Sequence, residues 1–261
     1  MTATEQKRDE VKWFDDVSKS YRKEYDRETT DGFSFRMRRE KVLSLIPQDG
    51  KGKKVLDIAC GPGILIHGLR SRGYTITAVD AAPEMVARAK EEHKIGEDLT
   101  IEVGDVYALK YPDASFDVVT ALGLVEYLAD QEKAHREMVR VLKPGGTLIV
   151  SYPYTWSPWR VWGRLLMAIT WIPRKLYKLI TGSRGHYITH REYTVGEARE
   201  IFNAAGVTSD RVWFYNLKLV PWPLDQWFPR FTVWQSSLLE SFDSTPLRFI
   251  GTAFNLRGKK R

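Results

Sequence analysis

Short apolar runs alternate with helix-period windows along most of this chain. Residues 55–58, 75–79, 99–103, 116–121 and 147–150 form runs of four to six residues, rich in Val, Ile, Leu and Phe, the length and composition of buried strands. Between them a helical pattern opens at Ile64, Leu65 and Ile66. A second, 83–94, starts at a favoured proline position, and a third covers 131–141 before Lys143-Pro144-Gly145. Upstream, residues 12–27 place Trp13, Phe14, Val17, Tyr21 and Tyr25 on one helical face, and residues 35–45 form another helix stopped by Pro47. Downstream, Thr194-x-x-Glu197 is a capping box for a helix over 194–205 that stops at Gly206, and residues 212–220 and 249–256 read as two more strands. Strands alternating with helices predict an α/β fold with a doubly wound sheet of seven strands. No internal repeat or low-complexity linker divides the chain, so residues 1–261 are expected to be a single domain.

The first strand runs into Asp57-Ile58-Ala59-Cys60-Gly61-Pro62-Gly63-Ile64. In doubly wound sheets ligands lie beyond the carboxyl ends of the strands, and Gly61 and Gly63 leave backbone bare there for close approach. A dinucleotide fingerprint would need a third glycine where Ile66 stands, and a phosphate-binding P-loop would need Gly-Lys-Ser/Thr after the turn. Both are excluded.

What remains resembles the first motif of the class I S-adenosylmethionine-dependent methyltransferases, an acid followed by Gly-x-Gly, matched by Asp57, Gly61 and Gly63. Asp80 closes the second strand about twenty residues after the turn, where an acid binds the two ribose hydroxyls. Asp105, after the third strand, matches the family's acid that meets the adenine amino group. The fourth strand and the Leu142-Lys143-Pro144-Gly145-Gly146 turn into the fifth fit the same pattern over residues 55–150. The resemblance implies a Rossmann-like sheet with the last strand antiparallel. It implies S-adenosyl-L-methionine as cofactor, with Tyr21, Asp57, Cys60, Gly61, Gly63, Asp80, Ala81, Met85, Asp105, Val106, Ala121 and Leu122 as its candidate contacts. Many small-molecule methyltransferases begin with a stretch like Phe14-Asp15 and Tyr21 that folds over the cofactor; packing in the core is the other role open to Tyr21. One of Arg36, Arg38 and Arg39 is a candidate for the methionine carboxylate, as related enzymes arrange. On this reading residues 1–50 are helices over the cofactor site, 51–151 the cofactor-binding core, 152–193 a lid insertion, and 194–261 a C-terminal part with a second insertion at 221–244.

Composition adds three facts. A single cysteine, Cys60, rules out an intrachain disulfide and suits a reducing compartment; it reads as a small turn residue. Residues 1–11 are polar, without the apolar stretch of a secretory signal, so a cytoplasmic protein is expected. The net charge of +7 is localised: residues 152–191 hold Arg160, Arg164, Arg174, Lys175, Lys178, Arg184 and Arg191 and no acid, while the rest of the chain carries 33 basic and 33 acidic residues.

Seven of the nine tryptophans, Trp156, Trp159, Trp162, Trp171, Trp222, Trp227 and Trp234, lie in the two insertions. Wound as an ideal helix, residues 159–180 gather Arg160, Arg164, Arg174, Lys175 and Lys178 within roughly a 100° arc. Trp159, Val161, Trp162, Leu165, Leu166, Ile169, Ile172, Leu176 and Ile180 take the other side, and Pro173 interrupts the phase. The apolar run 165–172 is far short of the ~20 residues that cross a bilayer. Such a helix suits a peripheral position on an anionic membrane surface, on the inner face. The alternative is a lid whose apolar stripe packs on the protein's own core. Leu165, Leu166, Ile169 and Leu176 in one stripe argue against nucleic acid as partner.

Methyl transfer needs an aligned acceptor and excluded water, with a base only where the nucleophile must lose a proton. Candidate bases are His186, His190 and Glu126; candidate acceptor contacts are Tyr127, Tyr154, Trp162, Tyr187 and Tyr193. The order of elements is loosely similar to the ubiquinone-biosynthesis O-methyltransferases. Their metal-associated Glu-x-x-Glu-His is replaced by Gly123-Leu124-Val125-Glu126-Tyr127, so no metal is predicted. The expected function is methylation of a lipophilic small molecule at oxygen. A soluble natural-product methyltransferase and a non-catalytic membrane scaffold that retains the fold are the alternatives. The sequence leaves the oligomeric state open.

Overall fold

The computed structural model describes residues 3–170, 190–243 and 245–261. Seven strands form one sheet: β1 (Lys54–Ile58), β2 (Thr75–Asp80), β3 (Leu99–Val103), β4 (Phe116–Ala121), β5 (Leu142–Pro153), β6 (Val207–Leu217) and β7 (Gly251–Lys260). Their order is β3-β2-β1-β4-β5-β7-β6, with β1 to β5 parallel and β7 antiparallel to both β5 and β6. The expected antiparallel last strand is present.

Alternate side chains along the strands feed two apolar layers, as the two-residue period requires. Val55, Ile76, Val118 and Ile149 face one layer, where α2 (Thr30–Leu45), α3 (Ile66–Arg70) and α4 (Pro83–Glu92) pack. Leu56, Val119, Leu148 and Val150 face the other, closed by α5 (Gln131–Val141) and α7 (Val195–Ala204). The capping box of α7 forms as expected: the Thr194 hydroxyl accepts the Glu197 N–H, and the Glu197 carboxylate accepts the Thr194 N–H.

Several boundaries differ from the sequence reading; α2 begins at Thr30 where 35 was expected, and β7 covers Gly251–Lys260 where 249–256 was expected. The first helix, α1 (Ala3–Asp26), begins earlier than residue 12. β6 begins at Val207 and ends at Leu217, because Thr208–Arg211 pair with β7 despite their polarity, with a register shift between Ser209 and Arg211. β5 starts at Leu142. The Lys143–Gly146 stretch is an excursion within its pairing to β4, eased by Gly145 at φ +71°.

The insertions leave the sheet by α6 (Pro158–Ile169) after β5, and by α8 (Leu224–Trp227) and α9 (Pro229–Leu239) between β6 and β7. Since β6 runs parallel to β5, both insertions rise from the sheet edge at which β1, β2 and β4 also end. Among the described residues no helix is long and apolar enough to cross a membrane.

Candidate active site

At that edge lies a cavity of about 480 Å³, within the size range of small-molecule sites. Its floor is the turn after β1. Ala59 at φ +56° and Gly61 at φ +53° turn the chain so that Gly61 faces the cavity, with only the Tyr21 ring, at 3.8 Å, near where a Cβ would stand. Gly63, at φ +81°, serves packing instead: a Cβ there would strike Ile66 and the His93 ring.

Five acidic residues line the cavity, Glu10 and Asp130 besides three at the strand ends, Asp57, Asp80 and Asp105. Asp80, at the tip of β2, accepts the Gly61 N–H through Oδ2 at 2.8 Å and the Ala82 N–H through Oδ1 at 2.9 Å. Burial raises its pKa, and those backbone donors oppose the shift. Asp105 accepts the Tyr107 N–H at 3.0 Å, an Asx turn that fixes the carboxylate beside β3. Asp57, on β1, stands opposite Thr120 of β4, whose hydroxyl donates to Oδ1 at 2.7 Å. Its second oxygen is buried without a partner, and burial pushes the pKa up to about 7. Cys60, Ala81, Met85, Val106 and Leu122 complete the apolar wall.

The cavity is roofed by α1. Phe14 and Tyr21 line it, and Asp15 accepts the Glu84 N–H at 3.0 Å, fastening α1 to the start of α4. Of the three candidate arginines only Arg38 reaches the cavity. It is buried, donates to the Tyr25 hydroxyl at 3.2 Å, and has an unpartnered Nε. Arg36 is spent on the Tyr25 and Arg27 carbonyls, and Arg39 lies 3.8 Å from Glu40 on the outside.

On the far side, beyond β4, Tyr127 lines the cavity between Phe14 and His190, with ring centroids 5.2 and 4.9 Å away. His190 does not line the cavity but packs on Tyr127, which does; partial burial of its ring and the nearby Arg160 hold its pKa below the usual value. Glu126 lies behind Tyr127, off the cavity wall. One of its oxygens is buried without a partner, and burial raises its pKa.

Other candidates lie off the cavity wall. Ala121 is buried in the sheet between Ile58 and Val150. Tyr154 packs on Phe214, and the Tyr193 hydroxyl donates to the Val125 carbonyl at 3.1 Å. Trp162 points outward and donates to the Trp222 carbonyl at 2.9 Å. His186 and Tyr187 lie outside the described residues. Reading the sequence did not single out the part of Thr120 as partner of Asp57, or the left-handed Ala59.

Residues 56–150 match the family described as a methyltransferase domain. That match covers less than half of the chain and marks the β1 to β5 part as similar to methyltransferase domains. Over about a hundred residues this part is 37% identical to the malonyl-[acyl-carrier protein] O-methyltransferase of Erwinia billingiae, a match over 39% of this chain and 39% of that one. It is 35% identical to the norajmaline N-methyltransferase of Rauvolfia serpentina, over 38% and 36% of the two chains. It is 38% identical to the ubiquinone biosynthesis O-methyltransferase of Klebsiella pneumoniae, over 38% and 42%. The match thus spans less than half the length of these relatives. The whole fold is similar to that of a chain from Haloferax volcanii solved with a methyltransferase activator, with TM-score 0.63, 22% identity, and coverage of 94% of this chain and 96% of that one. It is also similar to an S-adenosylmethionine-dependent methyltransferase from Thermotoga maritima, with TM-score 0.59, 17% identity, and coverage of 95% and 98%.

The cavity fits S-adenosylmethionine on chemical grounds. An amino-acid end brings an ammonium and a carboxylate. The wall offers an unsatisfied carboxylate oxygen on Asp57 and an unsatisfied guanidinium N–H on Arg38, both buried. Such groups are costly to bury alone.

Proposed function

We propose that this chain is an S-adenosylmethionine-dependent methyltransferase that takes a lipophilic small molecule as acceptor and methylates it at oxygen, peripherally at a membrane. The single observation that carries the cofactor half is that two of the residues lining the cavity hold buried, unsatisfied polar atoms of opposite charge, Asp57 Oδ2 and Arg38 Nε. In this reading Arg38 holds the carboxylate and Asp57 the ammonium, Asp80 the ribose hydroxyls and Asp105 the adenine amino group. When bound, S-adenosylmethionine supplies a methyl group activated on a positively charged sulfur.

The chain's own contribution is alignment, exclusion of water and, for a hydroxyl acceptor, removal of a proton. Phe14, Tyr21 and Tyr127 cover the cavity with aromatic surface. His190, in edge contact with Tyr127 and with its pKa held below the usual histidine value, is the first candidate base for a hydroxyl acceptor. Glu126 is the second candidate base, a residue away from Tyr127. The lipophilic acceptor is supported by that aromatic cover and by the apolar insertions that rise from the same sheet edge.

The inward-packed lid finds no support in the described part of the first insertion. No residue of α6 is buried, and the helix turns its arginines toward the protein. Arg160 donates to the Thr252 carbonyl and pairs with Glu192, while Arg164 pairs with Glu192 and donates to the Thr155 carbonyl. This departs from the expected orientation, in which the cations were to face anionic lipid. The carbonyls left at the sheet edge and Glu192 attract them inward.

The test is transfer of a labelled methyl group. With methyl-labelled S-adenosylmethionine, the chain should label a component of a lipid extract, and mass spectrometry should place the label on oxygen. Labelling confined to water-soluble extract, or none with cofactor bound, contradicts the acceptor assignment.

A further inference from the structure

The second insertion contains a helix built inside out. α9 buries Thr232 and Ser236, both fully, and exposes Phe231 (55%), Trp234 (58%) and Leu238 (52%). At helical spacing those three apolar side chains fall within about a 60° arc, and the small polar pair lies on the flank that packs against α2 and β6. A helix facing water places its side chains the other way round. Trp227 (69% exposed) and Phe228 (58%) precede it, and the Phe231 and Trp234 rings touch with centroids 5.7 Å apart.

α6 shows the same inversion. Trp162, Leu165 and Ile169 form its outward stripe while Arg160 and Arg164 bind the protein. The two insertions are joined. The Trp162 indole donates to the Trp222 carbonyl at 2.9 Å, and the Trp159 indole donates to Asp225 at 3.0 Å, beneath the buried Lys218–Asp225 pair.

The charge pattern says what covers this surface. The acidic residues in the described parts of the two insertions are Glu192, Asp225, Glu240 and Asp243. Each is paired with a cation: Glu192 with Arg160 and Arg164, Asp225 with Lys218, and the other two with Lys41. Arg230, beside Phe231, is exposed. A face of tryptophan, phenylalanine and leucine with its carboxylates neutralised, on a chain of net charge +7, matches the boundary between headgroups and acyl chains of an anionic bilayer.

We infer that α9, with Trp227 and Phe228 before it, is a membrane-inserting element that acts together with α6 and sets the cavity edge of the sheet toward the bilayer. This rests on the membrane part of the proposed function and assigns it to an element whose sequence shows no cationic amphipathic helix.

The test is flotation of the full chain with phosphatidylcholine vesicles, with and without phosphatidylglycerol, alongside a Phe231→Ser/Trp234→Ser variant. Both positions are exposed, so the variant should fold, and calorimetry with S-adenosylmethionine on the same samples reports the cavity independently. The parent should float, more so with phosphatidylglycerol, and its tryptophan emission should shift to the blue on vesicles. The variant should lose partition by about tenfold or more, with cofactor affinity unchanged. Equal flotation of parent and variant overturns the proposal. So does a parent that stays in solution, above all if ultracentrifugation shows a dimer that the variant breaks, which assigns the face to a second copy of the chain. Flotation that depends on Phe231 and Trp234 in a chain that binds no cofactor would support the membrane face and sink the enzyme reading alone.

Discussion

The cofactor crevice and the roof of insertions rise from the same sheet edge but are built on opposite principles. In the crevice polar side chains are buried or half-buried and most are fixed by the backbone: Asp80 by the Gly61 and Ala82 N–H groups, Asp105 by the Tyr107 N–H, Asp57 by a cross-strand hydroxyl. In the roof apolar side chains are exposed while polar ones bond to the protein, Arg160 and the partly exposed Arg164 along α6, or are buried, Thr232 and Ser236 under α9. Preorganised charge suits one small polar ligand, whereas uncovered rings suit an extended apolar phase. On the proposed reading one region selects chemistry, the other location.

Replacing residues on either side of that divide should separate the two. The largest effect is expected at Asp80. Asp80→Ala removes a carboxylate that orders the glycine turn and faces the proposed ribose, and should weaken S-adenosylmethionine binding by about 10³-fold in calorimetry, with circular dichroism unchanged. An affinity within threefold of the parent would detach Asp80 from the ligand. His190→Gln comes next. It should lower kcat for a hydroxyl acceptor by about 10²-fold and flatten the acid limb of the pH profile, leaving cofactor affinity intact; unchanged turnover moves the proton to Glu126 or to water.

Asp57 gives a smaller and signed effect. Because its pKa in the fold is raised to about 7, the protonated form is favoured in the folded chain, and the stability this lends is present at low pH and is lost as pH rises through 7. Asp57→Asn should therefore raise the melting temperature of the ligand-free chain at pH 8 by about 2–4 °C. It should also weaken S-adenosylmethionine binding by about tenfold at that pH, since the ammonium loses its anion. In the parent, affinity should fall between pH 8 and 6 as Asp57 takes up a proton, and in the variant it should not. A parallel pH dependence in both would remove Asp57 from contact with the ligand. The smallest effect is expected in the roof, where Trp227→Ser should change stability by no more than about 0.5 kcal/mol in urea unfolding, because the side chain packs on little. A larger loss would mean that the exposed ring supports the fold.

How far each region could be read from the sequence follows from the same contrast. The central strands β1, β4 and β5 were legible because both their faces are buried, and β2 and β3, partly exposed toward the sheet edge, because their buried positions still recur in short apolar-rich runs. That Asp57, Gly61, Asp80 and Asp105 lie together could be anticipated because each lies at or just after the end of a parallel strand, at a fixed spacing. β6 was misplaced at its start because it is an edge strand, where Thr208, Ser209 and Asp210 alternate in partial exposure and carry no strand signature. Arg36, Arg38 and Arg39 could not be told apart, since adjacent helix positions all look equally charged and only the packing of α2 selects Arg38. For α6 the sequence showed an apolar stripe and a cationic stripe but not which one faces out; periodicity defines an axis without a sign. α9 was hidden altogether, because its buried flank is Thr232 and Ser236 and its exposed flank reads as core.

The account stands on the crevice. Isothermal calorimetry of the full chain with S-adenosylmethionine and with its demethylated product at pH 8 addresses it most directly. The account predicts one site per chain, bound in the micromolar range or tighter, and abolished by Asp80→Ala. A folded chain that gives no heat with either compound would contradict it.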